Sequence, residues 1–163
     1  MEHKMRRFKQ ELPREEALAL LDRATSGVLA LVDAAGEPYA VPLSFARAGE
    51  ALYFHCATAG HKLEAVRACG QASFCVIGQD AVVPAEFTTY FSSVIAFGAI
   101  CEIEDPAEKV AALQALAAKY SPGLDPAGEI DGSLRRTCVL KMQLDRVTGK
   151  EARELMEARH KAE

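Results

Sequence analysis

Leu52-Tyr53-Phe54-His55-Cys56-Ala57-Thr58-Ala59-Gly60-His61-Lys62-Leu63 is the stretch on which the reading of this chain turns. An apolar run, Leu52 to His55, reads as a strand. It passes through small residues into a short helix, Gly60 to Ala68, with Leu63 and Val66 at inward positions. The first amides of a helix have no partner within it, and they sit at the positive end of its dipole, so such a corner attracts an anion. Ala57, Ala59 and Gly60 let a ligand approach the backbone closely. Lys62 adds a full positive charge in the first helical turn, where it opposes the dipole unless an anion lies between.

Upstream, Pro13 suits the start of a helix whose apolar stripe is Ala17, Leu18, Leu21 and Ala24, and which ends near Thr25. Val28 to Val32 is short enough for a buried strand. After the turn Asp33-Ala34-Ala35-Gly36, Tyr39 to Phe45 is a second strand. Pro42 cannot donate to a ladder, so this strand has an open edge or a bulge there, with unpaired backbone groups able to meet the polar edge of a planar ring. The turn Ala48-Gly49-Glu50 leads back to Leu52, which completes an antiparallel meander.

Downstream, Ala72 to Ile77 reads as a strand and residues 80–88, with Pro84, as a loop. Tyr90 to Glu104 is a long strand bent at Gly98, and its Ser92-Ser93 pair interrupts an apolar run. Asp105-Pro106-Ala107-Glu108 carries the signals of a helix start, and Val110, Leu113, Leu116 and Tyr120 form the buried stripe that follows. Ile130 to Arg136 is a short helical piece. Val139 to Val147 alternates, with Leu140, Met142 and Leu144 inward. The expected organisation is an N-terminal arm (1–11) rich in Lys4, Arg6, Arg7 and Lys9, one domain over 12–150, and a charged C-terminal tail over 151–163. The fold class is mainly β with peripheral helices: a six-stranded antiparallel split barrel. The turns at 33–38 and 46–51 are too short for the crossovers of a parallel sheet.

Composition narrows the function. The chain has 163 residues, half of them apolar, and a net charge of −4. It has no global field to gather nucleic acid, no apolar run long enough to cross a bilayer and no apolar secretory core near its start. No nucleic-acid or membrane partner is expected, and the location expected is the cytoplasm. The five cysteines are scattered with no C-x-x-C pair, and the four histidines match no familiar ligand spacing, so no metal site is expected. No G-x-G-x-x-G, P-loop or G-x-S-x-G is present.

The order and spacing of several motifs resemble one family. These are Gly36-x-Pro38-Tyr39-x-Val41-Pro42-Leu43-Ser44-Phe45, Tyr53-Phe54-His55-x-Ala57-x-x-Gly60-x-Lys62-Leu63, Tyr90-x-Ser92-x-Val94-x-x-Phe97-Gly98, Glu108-Lys109 with Ala112-Leu113, and Thr148-Gly149-Lys150. Together, over roughly residues 5–150, they resemble the pyridoxamine-phosphate-oxidase-like FMN-binding split barrels, in the subgroup related to nitroimidazole-resistance proteins. The resemblance implies FMN held at the interface of a homodimer. Tyr39, Val41, Pro42, Leu43 and Ser44 would lie along the flavin ring, through backbone groups of Val41, Leu43 and Ser44. His55 and Cys56 would stand beside the ribityl chain and phosphate, His61 and Lys62 would hold the phosphate, and Ser92 and Ser93 would reach the flavin from the long strand. His55 is the candidate catalytic acid–base residue. The arginine–histidine pair that true pyridoxamine-phosphate oxidases use for substrate has no counterpart. The implied activity is an FMN-dependent oxidoreductase acting on a small planar acceptor such as a nitroaromatic. The alternatives are a non-catalytic flavin carrier or sensor, or a haem-binding split barrel with His55 and His61 as axial candidates.

Overall fold

The computed structural model describes residues 5–162; His3 and Lys4 lie outside them. In chain order the elements are β1 (Glu11–Leu12), α1 (Arg14–Arg23), β2 (Gly27–Val32), β3 (Pro38–Leu43), β4 (Ala46–Ala48), β5 (Ala51–Ala57) and α2 (His61–Ala68). There follow β6 (Gln71–Val83), β7 (Thr88–Glu102), α3 (Pro106–Tyr120), α4 (Ala127–Ser133), β8 (Thr137–Gln143), β9 (Arg146–Glu151) and α5 (Arg153–Ala162). The strands form one antiparallel sheet in the order β3-β2-β6-β7-β8-β5-β4, with β9 on β7 and β1 on β9.

The sheet divides at β7. This strand keeps β6 on one side, while its other side pairs with β9 from Ser92 to Phe97 and with β8 from Ile100 to Glu102. Gly98 stands at the change of partner. A methyl group there would lie 1.8 Å from the carbonyl oxygen of Gln143, so only glycine lets the chain of β8 come so close. Asp145 completes the junction: its amide donates to Phe97 O, and its Oδ2 accepts from Ala99 N.

The main core lies inside the curl. Phe74 meets Phe45 and Phe54 edge to face, with ring centroids 4.7 and 5.0 Å away, and Leu29, Val76, Val94, Leu140 and Met142 close around them. Each such ring contributes about 2–3 kcal/mol by its burial. A smaller core, Ala46, Leu113, Leu116, Ile130 and Val139, seats α3 and α4 on the opposite face of β4–β5–β8. The Asp105 carboxylate accepts from Glu108 N and caps α3 as expected. At the other end of α3, the Tyr120 hydroxyl accepts from Phe45 N, and it has the carbonyls of Thr25 and Phe45 at 2.6 and 2.9 Å.

The class is as expected, but nine strands replace six among the described residues. The run 139–147 is two strands, because β8 pairs with β5 and β9 with an earlier part of β7; alternation continues across the break and hides it. The loop expected at 80–88 is mostly strand: β6 and β7 stay paired out to Val83 and Thr88, and Pro84 opens only a single turn. The arm and the tail are also folded in part. Glu11–Leu12 pairs with Lys150–Gly149, and beyond Glu151 the tail is helix α5, tied back by Arg159 to the buried Glu151 carboxylate at 2.6 Å. Gly98→Ala is expected to cost about 3 kcal/mol or more, read as a lowered urea midpoint with an unchanged slope.

Candidate functional site

Three chain segments meet at one rim of the barrel: the β2–β3 turn, the end of β5 and the start of α2. Asp33 organises the first. Its Oδ1 accepts from the amides of Ala35 and Glu37, both at 2.9 Å, and so fixes the turn. Its Oδ2 lies 3.3 Å from His61 Nε2. The His61 ring also packs on Tyr39, with centroids 4.3 Å apart and planes at 35°. Two of the expected residues, Tyr39 and His61, are therefore brought together. Asp33, which holds the His61 ring, escaped the sequence reading because a turn aspartate is expected to satisfy only its own turn.

Helix α2 begins without a capping side chain. Gly60 takes φ +126°, a backbone region that disfavours residues with a side chain, and a Cβ there would meet nothing within 4 Å. The corner is open and its first amides are uncapped by side chains. Lys62 is half-buried, and among the described residues it has no carboxylate within 4 Å. Its charge bears on the Cys56 thiol.

Neighbours along a strand point to opposite faces. Cys56 faces the barrel interior, and His55 is exposed on the other face, level with Val139. The expected placement of both beside one ligand is thus split within a protomer. Cys56 has a companion the sequence reading missed: Cys138 lies directly opposite on β8, with its Sγ donating to Glu102 Oε2 at 3.4 Å. Burial, with Cys56 and Glu102 adding to it, pushes the Cys138 thiol up to about 12. Burial also raises the Cys56 thiol, against the pull of Lys62. Arg67 holds Glu102 at 2.6 Å and keeps its carboxyl below the usual range. Only the register across β5–β8 joins these residues, and no spacing in the sequence signals it.

Strand β3 is a sheet edge, as Pro42 implied. Its ladder bonds to β2 fall to Tyr39, Val41 and Leu43, opposite Leu31, Leu29 and Gly27, because Pro38 and Pro42 have no N–H to give. This corrects the expectation that Val41 and Leu43 offer free backbone groups. The free edge consists of the carbonyls of Pro38, Ala40 and Pro42, the Ala40 amide, and Ser44 just past the last pair. Ser92 and Ser93 are not part of this rim. They lie on β7 opposite Glu151 and Lys150, three strand spacings (about 14 Å) from β3.

One titration and one labelling experiment test this geometry. The Glu37 amide holds the Asp33 carboxyl below the ordinary aspartate range; partial desolvation opposes it, and the Ala35 amide and His61 add to it. A depressed folded pKa means that the contact is present above the ordinary aspartate value and is lost as pH falls through the lower folded one. The Ala35 and Glu37 amide shifts are therefore expected to titrate together, with a midpoint below that of a free aspartate. At pH 8, iodoacetamide is expected to label exposed Cys101 and leave Cys138 unlabelled, as read by peptide mass mapping.

Comparison with known proteins fits this architecture. A protein proposed for 5-nitroimidazole antibiotic resistance, from Bacteroides thetaiotaomicron, superposes with a TM-score of 0.77 at 22% identity, over 86% of each chain. The FAD and heme binding protein of Mycobacterium smegmatis gives 0.74 at 26% identity, over 92% of this chain and 80% of that one. The flavocytochrome Anf3 of Azotobacter vinelandii gives 0.76 at 24%, over 92% and 72%. No curated protein matches the sequence. The family described as pyridoxamine 5'-phosphate oxidase matches residues 13–151, and with the split-barrel topology this places the chain in that family.

Proposed function

We propose that the protein binds FMN at the α2 rim and works as a homodimeric flavin-dependent oxidoreductase in the cytoplasm. The observation that carries this reading is the open corner at Gly60, where the first helical amides lack a capping side chain and Lys62, with no carboxylate within 4 Å among the described residues, stands in the first turn. A phosphate dianion satisfies the amides and offsets the helix-dipole penalty of Lys62. His61 is the weaker arm of the clamp, since Asp33 and Tyr39 already engage it. Beyond the phosphate, Tyr39, Ser44 and the edge carbonyl of Pro42 lie along a path for a flat ring, and Cys56 borders the ribityl side. Bound flavin would supply the electron transfer, and the chain's own residues orient it.

The dimer reading rests on the outer face of the sheet. Register aligns Pro42, Val28, Cys75, Ile95 and Thr148 in one row across five strands, with Ile77 and Ser93 in a neighbouring row. Ile77 is 67% exposed, and Val28 and Ile95 nearly 40%. An exposed, partly apolar face of this kind suits a second copy. Pairing there would bring one protomer's Ser92–Ser93 region toward the other's β3, closing the gap that a single protomer leaves. FMN is preferred to haem because the two axial candidates diverge: His61 is turned to Asp33, and His55 points away from Cys56. A small planar acceptor such as a nitroaromatic is the substrate class proposed; His55, the acid–base candidate of the sequence, lies on the face opposite Cys56 and reaches that acceptor only if the acceptor binds on the outer face.

Purified protein is expected to be yellow, to release one FMN per chain on denaturation and to run as a dimer. Lys62→Ala is expected to weaken FMN binding about tenfold or more, measured by flavin fluorescence titration, whereas His55→Ala should lower turnover and leave binding intact. Release of FAD or haem, or affinity unchanged by Lys62→Ala, would overturn the assignment.

A further inference from the structure

The flavin rim makes no use of Cys56 and Cys138 as a pair. The two are direct partners in the β5–β8 ladder, so their side chains leave the sheet on the same face. Along the same register Leu144 N donates to Glu50 O. Bonded pairs alternate along an antiparallel ladder, and every second position from Glu50 leads to Cys56, which makes Cys56–Cys138 a hydrogen-bonded pair. Such a pair sets its Cα atoms about 5.5 Å apart, inside the span that a disulfide bridges. The two thiols are near enough that each shifts the titration of the other.

The sulfurs differ in access and in surroundings. Cys56 is half-buried near the end of β5, and the Lys62 charge favours its thiolate, which burial opposes. Cys138 is buried and donates to Glu102 Oε2 at 3.4 Å. Arg67 Nε in turn holds Glu102 Oε1 at 2.6 Å. Lys62 and Arg67 both belong to α2, so the pair is tied at each end to the helix that starts after Gly60.

We propose that Cys56 and Cys138 form a redox-responsive site that closes to a cross-strand disulfide, with hydrogen peroxide as the oxidant, and that closure shifts the start of α2. The Cys56 thiolate attacks one peroxide oxygen. The O–O bond breaks, an S–O bond forms, and the departing hydroxide takes up a proton as water. The Cys138 sulfur then attacks the sulfenic sulfur while its proton passes to Glu102. The S–S bond forms, the S–O bond breaks, and the second hydroxide leaves with that proton as water. Two thiols are thus oxidised by two electrons, and one peroxide is reduced to two waters. A disulfide needs its Cβ atoms about 3.8 Å apart, closer than the roughly 5.5 Å of a bonded ladder pair, so closure draws the end of β5 toward β8. It also removes the hydrogen that Cys138 gives Glu102, and with it part of what holds Arg67. A bridge stretched in this way is readily reduced, as a reversible response in a reducing compartment requires.

The test is peptide mapping of the full chain after treatment with hydrogen peroxide, digested without reductant. A peptide linked through Cys56 and Cys138 is expected, with both thiols restored by dithiothreitol. The amide resonances of Gly60, His61 and Lys62 are expected to shift on oxidation and to return on reduction. Cys138→Ser should leave Cys56 as a sulfenic acid that dimedone traps, and Cys56→Ser should leave Cys138 untouched by peroxide. Absence of the linked peptide, a bridge from Cys56 to another cysteine, or oxidised chain whose α2 amides have not moved would each overturn the proposal. None of these readouts involves flavin, so failure here and failure of the flavin reading are told apart.

Discussion

A single close approach, the backbone of Gly98 against the carbonyl of Gln143, makes this sheet a split barrel. Strand β7 is the common member of both halves, and its change of partner from β9 to β8 needs a point where two main chains nearly touch. Every side chain larger than hydrogen would push β8 away. β5 would then follow β8, and α2 would follow β5, since α2 is continuous with that strand. The geometry of the Gly60 corner is thus fixed some distance from it, by a residue with no side chain. The three phenylalanines, packed edge to face, stabilise the curl once it forms, but they do not choose its location.

What the sequence made legible was local. The β2–β3 hairpin, the capped start of α3 and the edge character of β3 follow from turn residues, an aspartate cap and a proline, each of which acts within a few positions; the expected third strand of that meander does not join it, since β5 pairs with β4 and β8 and not with β3. Illegible features depend on partners far along the chain. The break at Leu144–Asp145 is invisible because alternation of period two runs straight through it. The α5 segment looked like a solvated tail because its charges outnumber its apolar residues. Leu155 and Met156 are nonetheless half-buried, and one buried pair, Glu151 with Arg159, holds the helix down.

The candidate site divides in the same way. Gly60 and Lys62 were readable, because a strand-to-helix corner carries its own chemistry. The roles of Asp33 and Cys138 were not. Asp33 uses one carboxylate oxygen for its own turn and the other for His61, so two loops share one charge. Cys138 meets Cys56 only through strand register. Neighbouring residues of a strand are close in sequence and divergent in space, and this is why His55 and Cys56 separate while Cys56 and Cys138, 82 positions apart, come together.

The prolines of β3 have one more consequence. An outermost strand ordinarily offers a template on which a foreign strand can continue the sheet, and long exposed edges invite runaway stacking of chains. Of the three outward-facing positions on this margin, Pro38 and Pro42 have no hydrogen to offer an incoming backbone, and Ala40 alone can donate. The margin accepts hydrogen bonds but hardly gives them, so it stays free for a small guest while being a poor seed for fibril growth.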